Sequence, residues 1–417
     1  MAYLRGTPAA EPVRVVVTGM GVVTSLGRGC GAQAGFRHAA DGLRPLTAFD
    51  ASRQRTQLAG QADLQPLPAG HGLSPRQVAR LDRATQLLLG AGLEAYAQAG
   101  WAASTEPVPL CFGTSAAAMP LGERYYQEKT STPRQQRGLA HLALNYQPAS
   151  QVRLLADALR VTGPMQVIAN ACASGSNAIG HAFHLIRSGR AHRAIAGGYD
   201  GLSQLVFAGF DSLQALSTTR PRPFAADRDG LALGEGAAVL LLERRQDALA
   251  RGATILGEIA GYGAATDLHH LTQPHPQGDA ALCSMTAACA EAGWTPSQVD
   301  YINAHGTGTP LNDGSEGAAI CRWAGEAVSA IRVSSTKGSI GHLLGGAGAV
   351  EAALCLLALR GGWVPPNVPV PNPDPVCHFQ LIQKPLDAPL RRVLSNSFGF
   401  GGANATLALQ HPDLAHS

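Results

Sequence analysis

From residue 13 the chain alternates short apolar runs with longer stretches of helical period, and after about residue 250 the alternation restarts in a similar order. Val13–Gly21 reads as a buried strand ending in a glycine turn, and residues 76–100 as a helix rich in Ala, Leu and Gln. Pro107–Gly113, Pro164–Ala171, Arg193–Gly198 and Gly236–Glu243 read as strands, with a helix over Ser174–Arg187. In the second half, strands are expected at Ala253–Tyr262, Val299–Ala304, Ile331–Ser335, Arg392–Asn396 and Asn404–Leu409. Helices are expected there at Asp279–Gly293 and Gly346–Arg360. Such alternation predicts α/β layers. Two halves of like order predict an internal duplication, residues 13–250 and 251–412 after an N-terminal extension of 1–12. The strand–Cys–helix at 167–187 and the strand–Lys/His–helix at 331–360 would then be equivalent places whose turns meet between the halves.

Composition narrows the class. A chain of 417 residues can bury a large core, and 45% apolar against 15% charged residues suits a globular enzyme rather than a disordered chain. A net charge of +3 is too small to suggest nucleic-acid binding. The 49 glycines point to close helix–strand packing. None of the 8 cysteines forms a CxxC pair, so neither a zinc site nor a disulfide framework is expected. The first strand is not followed by GxGxxG, which leaves a dinucleotide fingerprint unsupported. The N-terminus lacks the apolar core of a signal peptide. The apolar stretch Leu343–Leu359 contains Glu351 and is shorter than the roughly 20 residues of a span. A cytoplasmic protein without membrane association is expected.

Chemistry concentrates at a few points. Cys172 follows an apolar strand and precedes Ala173-Ser174-Gly175-Ser176, a helix start too tightly packed for large side chains. A buried cysteine is more often structural, but a thiol at such a corner faces the positive end of a helix dipole, which favours thiolate. A backbone amide there can also serve an oxyanion. His305 lies in Asn303-Ala304-His305-Gly306-Thr307-Gly308-Thr309, where the two threonines face one side of an extended segment and suit a polar, amide-containing arm. His342 closes a glycine-rich turn that begins at Lys337. The helix after it is apolar all round except for Glu351, and a buried carboxylate needs a cation. Lys337, 14 residues earlier, is the available one. The pair is either a structural bridge or a device that tunes the two histidines. Phe400, between Gly399 and Gly401, is a core ring or the gate of a pocket.

Ala171-Cys172-Ala173-Ser174-Gly175, Asn303-Ala304-His305-Gly306-Thr307, Ser335-Thr336-Lys337, Gly341-His342-Leu343-Leu344-Gly345 and Asn396-Ser397-Phe398-Gly399-Phe400-Gly401-Gly402 occur in this order. In this the chain resembles, over nearly its full length, the elongating β-ketoacyl-acyl-carrier-protein synthases of the thiolase-like superfamily. The resemblance implies duplicated halves in a five-layer α-β-α-β-α fold. It implies an acyltransferase in which Cys172 takes the acyl group while His305 and His342 bind the malonyl thioester and promote decarboxylation. Further roles follow by resemblance only. The N–H groups of Cys172 and Phe400 form the oxyanion hole, and Lys337 and Glu351 the supporting charge pair. Thr307 and Thr309 contact phosphopantetheine, with Phe398 beside the substrate. Phe400, flanked by Gly399 and Gly401, gates the pocket, and Asp267 belongs to a second gating loop. Asp313 matches an acidic residue following the His305 motif. No metal or redox cofactor is implied, since phosphopantetheine arrives on the acyl carrier protein. A structural monovalent cation near Asn303, Glu351 and Asn396 is an implication of the family alone.

The chain departs from the housekeeping pattern in two places. Leu216-Ser217-Thr218-Thr219-Arg220-Pro221-Arg222-Pro223-Phe224 is compressed, and Gly338-Ser339-Ile340 replaces Ser-Met-Thr after the lysine. Chain elongation in fatty acid synthesis or in a specialised polyene or polyketide pathway is therefore expected, the two departures fitting the latter, by a homodimer or a heterodimer with a chain-length-factor-like subunit. A non-condensing partner subunit or scaffold is the alternative, against which Cys172 itself argues. A degradative thiolase would need a second catalytic cysteine, and neither Cys355 nor Cys377 is placed for it. Arg220, Arg222 and Arg228 read either as a carrier-docking patch or as a solvated basic face.

Overall fold

A computed structural model describes residues 12–101, 106–131 and 138–414. The expected N-terminal extension lies, apart from Pro12, outside these residues. The first half contributes strands β1 (Val15–Thr24), β2 (Leu110–Gly113), β3 (Met165–Ile168), β4 (Arg193–Asp200) and β5 (Gly236–Arg244). The second contributes β6 (Gly257–Thr266), β7 (Tyr301–Asn303), β8 (Arg332–Ser334), β9 (Arg392–Phe398) and β10 (Ala403–Gln410). From the middle outward the first half runs β1-β5-β4-β2-β3, and the second β6-β10-β9-β7-β8. In each half the two inner pairings are antiparallel and the two outer ones parallel. The predicted duplication is thus present strand for strand, and β1 joins β6 where the halves meet.

The layers follow from which residues are apolar on which side. Helices α1 (Arg83–Ala99) and α2 (Pro148–Leu159) cover the outer face of the first half with β1, β2, β4 and β5. Helix α3 (Ser174–Arg187) and, later in the chain, the helix at Ala347–Gly361 share one core between the two halves. A short helix α4 (Gln204–Ser212) flanks the first half. Helices α5 (Asp279–Ala292) and α6 (Pro310–Ala324) cover the outer face of the second half, and the helix at 347–361 is α7. The result is the five-layer α-β-α-β-α arrangement. The segment Leu344–Gly361 is apolar and long enough to cross a membrane, yet 89% of it is buried inside the fold. Its all-round hydrophobicity reflects packing between two sheets rather than contact with lipid.

Two expectations are corrected. The strand at Val13–Gly21 does not end in a glycine turn, because β1 runs on to Thr24. A Cβ on Gly19 would collide with the Ala95 carbonyl, and one on Gly21 with that of Ala91, so these glycines let α1 lie directly on the strand. The helix expected over 76–100 is interrupted. A single turn at Pro75–Val78 precedes α1, which starts afresh where the Asp82 side chain accepts from the Thr85 N–H at 3.0 Å.

Candidate active site

Strand β3 delivers the chain to a one-turn 3₁₀ segment, Ala171–Ala173, that leads into α3. Ala171 is held at φ +56°, a costly conformation for a residue with a Cβ. Its carbonyl is fixed by the hydroxyls of Ser174 at 2.6 Å and Ser115 at 2.9 Å. Cys172 is aimed out of this strained corner. The two central helices approach closely just behind it, where a Cβ on Gly175 would lie 2.8 Å from the Ala349 amide nitrogen. That closeness is why the helix start carries only small residues.

The equivalent turn of the second half carries His342, and the turn after β7 carries His305. The ligating atoms of Cys172, His305 and His342 all lie within 4.8 Å of one another, and the imidazoles meet edge to face at 5.2 Å. The backbone N–H of Leu344 donates to His342 Nδ1 at 3.2 Å. That bond assigns the ring proton to Nε2, which is buried without a partner. Burial, reinforced by the nearby Lys337 charge, holds both histidines well below their ordinary pKa, so both are neutral donors at pH 7. Burial works against the thiolate that the helix start favours at Cys172. Burial pushes its thiol up to about 12, and the opposing Lys337 charge does not offset it. The proton must therefore leave as the sulfur reacts.

The Phe400 N–H donates toward the Cys172 sulfur, and Gly399 abuts the Cys172 amide nitrogen. The Phe400 N–H is thus a backbone donor beside the thiol. The Phe400 ring stacks on Phe210 of α4 at 5.8 Å. The loop bearing it is tied to the loop that starts at Asp267. Asp267 N–H donates to Gly402 O at 2.8 Å, and Gly401 N–H to Leu271 O at 2.7 Å. The Asp267 carboxylate accepts from the N–H groups of His269 and His275, which holds that loop in shape. Thr307 and Thr309 do face one side, their hydroxyls 2.8 Å apart. Phe398 packs beside His305 at 5.8 Å. Phe210, Asp267, Leu271, Thr307, Thr309, Phe398 and Phe400 line, with the two histidines, a cavity of about 350 Å³ that reaches Cys172.

Lys337 and Glu351 form an ion pair with both side chains 2% exposed. Glu351 Oε2 and Asn303 Oδ1 are buried without partners, two orphan acceptors that suit a cation. Asn396 is committed elsewhere: its Oδ1 accepts from Thr406 and its amide donates to Glu316. Asp313 accepts from the N–H groups of Thr307 and Phe224 at 2.9 and 2.8 Å, joining the compressed loop to the His305 turn. Arg228 is no docking residue. Its buried guanidinium pairs with Asp374 and donates to the carbonyls of Thr309 and Pro310.

Sequence reasoning missed three residues. Glu316 accepts from the N–H groups of His305 and Gly306 at 2.8 and 2.7 Å and so sets the histidine turn. Burial raises it to about 7. Asp200, fully buried, accepts from the N–H groups of Ser115, Ala116 and Ala117 and from Gly345 N–H at 2.6 Å. It therefore ties the Ser115 turn, which supports Ala171, to the turn of His342. A lone carboxylate ending the apolar run Arg193–Asp200 was the available signal, the same one that marked Glu351. Ser115 itself left none.

Comparison with known proteins agrees with this geometry. Residues 13–248 match the "Beta-ketoacyl synthase, N-terminal domain" and residues 256–371 the "Beta-ketoacyl synthase, C-terminal domain". A 3-oxoacyl-[acyl-carrier-protein] synthase 2 of Synechocystis sp. is 37% identical over 413 residues, covering 96% of this chain and 98% of the relative. The solved ishigamide ketosynthase/chain length factor superposes with a TM-score of 0.90 at 31% identity, over 96% of this chain and 99% of that one. A type II polyketide ketosynthase solved with its acyl carrier protein, AntDE:AntF, gives 0.87 at 27% identity, over 97% and 100%. Matched in both halves and along almost all its length, the chain belongs to the β-ketoacyl synthase family.

Proposed function

We propose that this chain is a β-ketoacyl-acyl-carrier-protein synthase working by decarboxylative Claisen condensation. The Cys172 sulfur attacks an acyl thioester on the carrier. A new S–C bond forms, and the pantetheine thiol leaves with the proton. A malonyl thioester then enters along Thr307 and Thr309. Its carboxylate bond breaks to release CO2, and the electron pair becomes an enolate on the thioester carbonyl. The Nε2–H of His342, with His305 beside it, donates to that oxygen, an interaction of several kcal/mol in a dry site. The carbanion attacks the acyl–Cys172 carbonyl, whose oxyanion meets the N–H groups of Cys172 and Phe400. Collapse gives the 3-oxoacyl-carrier protein and frees Cys172, which regains a proton. The single observation carrying this reading is the unpartnered His342 Nε2, aimed with His305 at the thiol.

No resident redox cofactor enters these steps. The orphan oxygens of Asn303 and Glu351 would be the protein's ligands to a structural monovalent cation, without Asn396. The partners are acyl- and malonyl-loaded carrier protein and a second condensing-enzyme subunit. Strand β3 supports the latter, ending the sheet among the described residues with Met165 and Gln166 exposed. The likeness to the ishigamide ketosynthase/chain length factor and the compressed loop favour a chain-length-factor-like subunit and a specialised polyene or polyketide product. The work takes place in the cytoplasm, consistent with an apolar α7 that is buried in the core.

Intact-mass spectrometry of the protein and of Cys172→Ala, mixed with acyl-carrier proteins and then malonyl-carrier protein, tests the reading. A Cys172-dependent acyl adduct cleared as 3-oxoacyl product is expected. Absence of any adduct, alone and with candidate partner subunits, would sink it. Saturated acyl carriers emerging as best substrates of a fully active homodimer would refute the specialised role.

A further inference from the structure

Helix α6 packs directly on the turn Asp374–His378. A Cβ on Gly317 would lie 2.6 Å from Val376 Cγ1, and one helical turn later the Cys321 thiol donates to the Val376 carbonyl at 3.4 Å. That carbonyl belongs to the peptide bond leading into Cys377, whose own N–H closes the turn by donating to Asp374 O at 2.9 Å. Cys321 and Cys377 are both partly exposed, whereas Cys111, Cys172, Cys289 and Cys355 are buried and Cys283 is exposed on α5. Burial pushes the Cys377 thiol up to about 12, and the groups that act on it next are Asp374, Asp313, Arg228 and Cys321. Asp313 and Cys321 both belong to α6, so the thiol lies on the α6 side of the turn. The same turn supports the arm-facing threonines. Asp374 pairs with Arg228, which donates to the carbonyls of Thr309 at 3.0 Å and Pro310 at 2.7 Å.

We propose that Cys321 and Cys377 form a reversible disulfide that switches the Thr307–Thr309 turn between two positions. The bridge stands on its own, and its effect on turnover rests on the condensing reading above. The oxidant is a low-molecular-weight disulfide of the glutathione type. The Cys321 thiolate attacks one of its sulfurs, an S–S bond forms, and one glutathione leaves as thiolate and takes up the proton. The Cys377 thiolate then attacks the Cys321 sulfur and releases the second glutathione in the same way. The protein gives up two electrons and two protons, and glutathione disulfide gains them. Burial raises the Cys321 thiol too, but the His378 N–H opposes this, which makes Cys321 the first to attack. Raised thiols react slowly, yet they deprive the reduced pair of the thiolate stabilisation that makes a disulfide strongly oxidising. With one sulfur already against its neighbour's backbone, closure asks for side-chain rotation and a shift of the turn toward α6. That shift moves Asp374 and, through Arg228, Thr309.

The test incubates the reduced full-length protein with excess glutathione disulfide. Non-reducing peptide mapping is expected to find Cys321 linked to Cys377, and dithiothreitol to undo the link. In the bridged protein kcat/KM for malonyl-carrier protein should fall roughly tenfold through misplacement of the Thr309 contacts. Cys377→Ser, and independently Cys377→Ala, should form no link and keep the reduced value after the same treatment. A fall of the same size in these variants would place the effect at another cysteine and overturn the switch. A linked parent protein with unchanged kinetics would overturn it as well. Absence of the Cys321–Cys377 peptide overturns the bridge itself, whether or not the protein condenses. A linked peptide in a protein whose reduced form condenses nothing overturns the condensing reading, and the switch with it, while the bridge stands.

Discussion

Replacing Lys337 by Met leaves Glu351 buried in α7 without its cation, and the cost can be worked from the site. With Lys337 present, burial already lifts Glu351 from 4.5 to about 6. A raised carboxylate contributes stability that is fully present below pH 4.5 and is lost as pH rises through about 6. At pH 7 that shift costs the fold about 2 kcal/mol. Removing one partner of a buried pair adds about 3–5 kcal/mol. Lys337→Met and Glu351→Leu should each lower the urea midpoint strongly at pH 7. Lys337→Met/Glu351→Leu, similar in volume and without charge, should recover most of the loss, giving a coupling of at least about 2 kcal/mol. Function should not recover with it. After burial, the Lys337 charge is the next cause holding His305 and His342 below their ordinary values. Without it both imidazoles gain protons more readily, so the acid limb of malonyl decarboxylation moves to higher pH in the double variant. A double variant as unstable as the singles, or an acid limb unmoved or moved to lower pH, would refute the reasoning.

Two further outcomes are expected. Gly175→Ala places a methyl 2.8 Å from the Ala349 amide nitrogen and should cost about 1–3 kcal/mol by thermal unfolding. Gly209→Ala in α4, with open space at the Cβ position, should cost nothing. Asp200→Asn removes an acceptor shared by the Ser115 and His342 turns and should slow condensation at least about tenfold through misplacement. The buried Asp200 charge also opposes ionisation of Cys172, so iodoacetamide should alkylate the variant's thiol no more slowly than the parent's. Slower alkylation alongside intact condensation would contradict this role.

Local pattern and composition were enough for much of the molecule. The run of small residues after Cys172 marked α3 over Ser174–Arg187, where it lies, because only small side chains permit two helices to cross at that distance. The lone Glu351 in an apolar helix announced its pairing with Lys337, because a buried charge requires a partner. The repeated element order contained the duplication, and alternate threonines on an extended segment had to share a side.

Other features belong to the tertiary structure alone. Gly19 and Gly21 look like a turn until α1 is seen lying on β1. Arg228 looks like a surface charge until Asp374 and the Thr309 carbonyl enclose it. Glu316 and Asp200 act through backbone N–H groups brought from distant segments, which a one-dimensional pattern does not encode. The protonation of Cys172 is decided likewise. The sequence supplies a helix start that favours thiolate, but only the folded chain removes the water that would solvate the charge, and that burial pushes the thiol up.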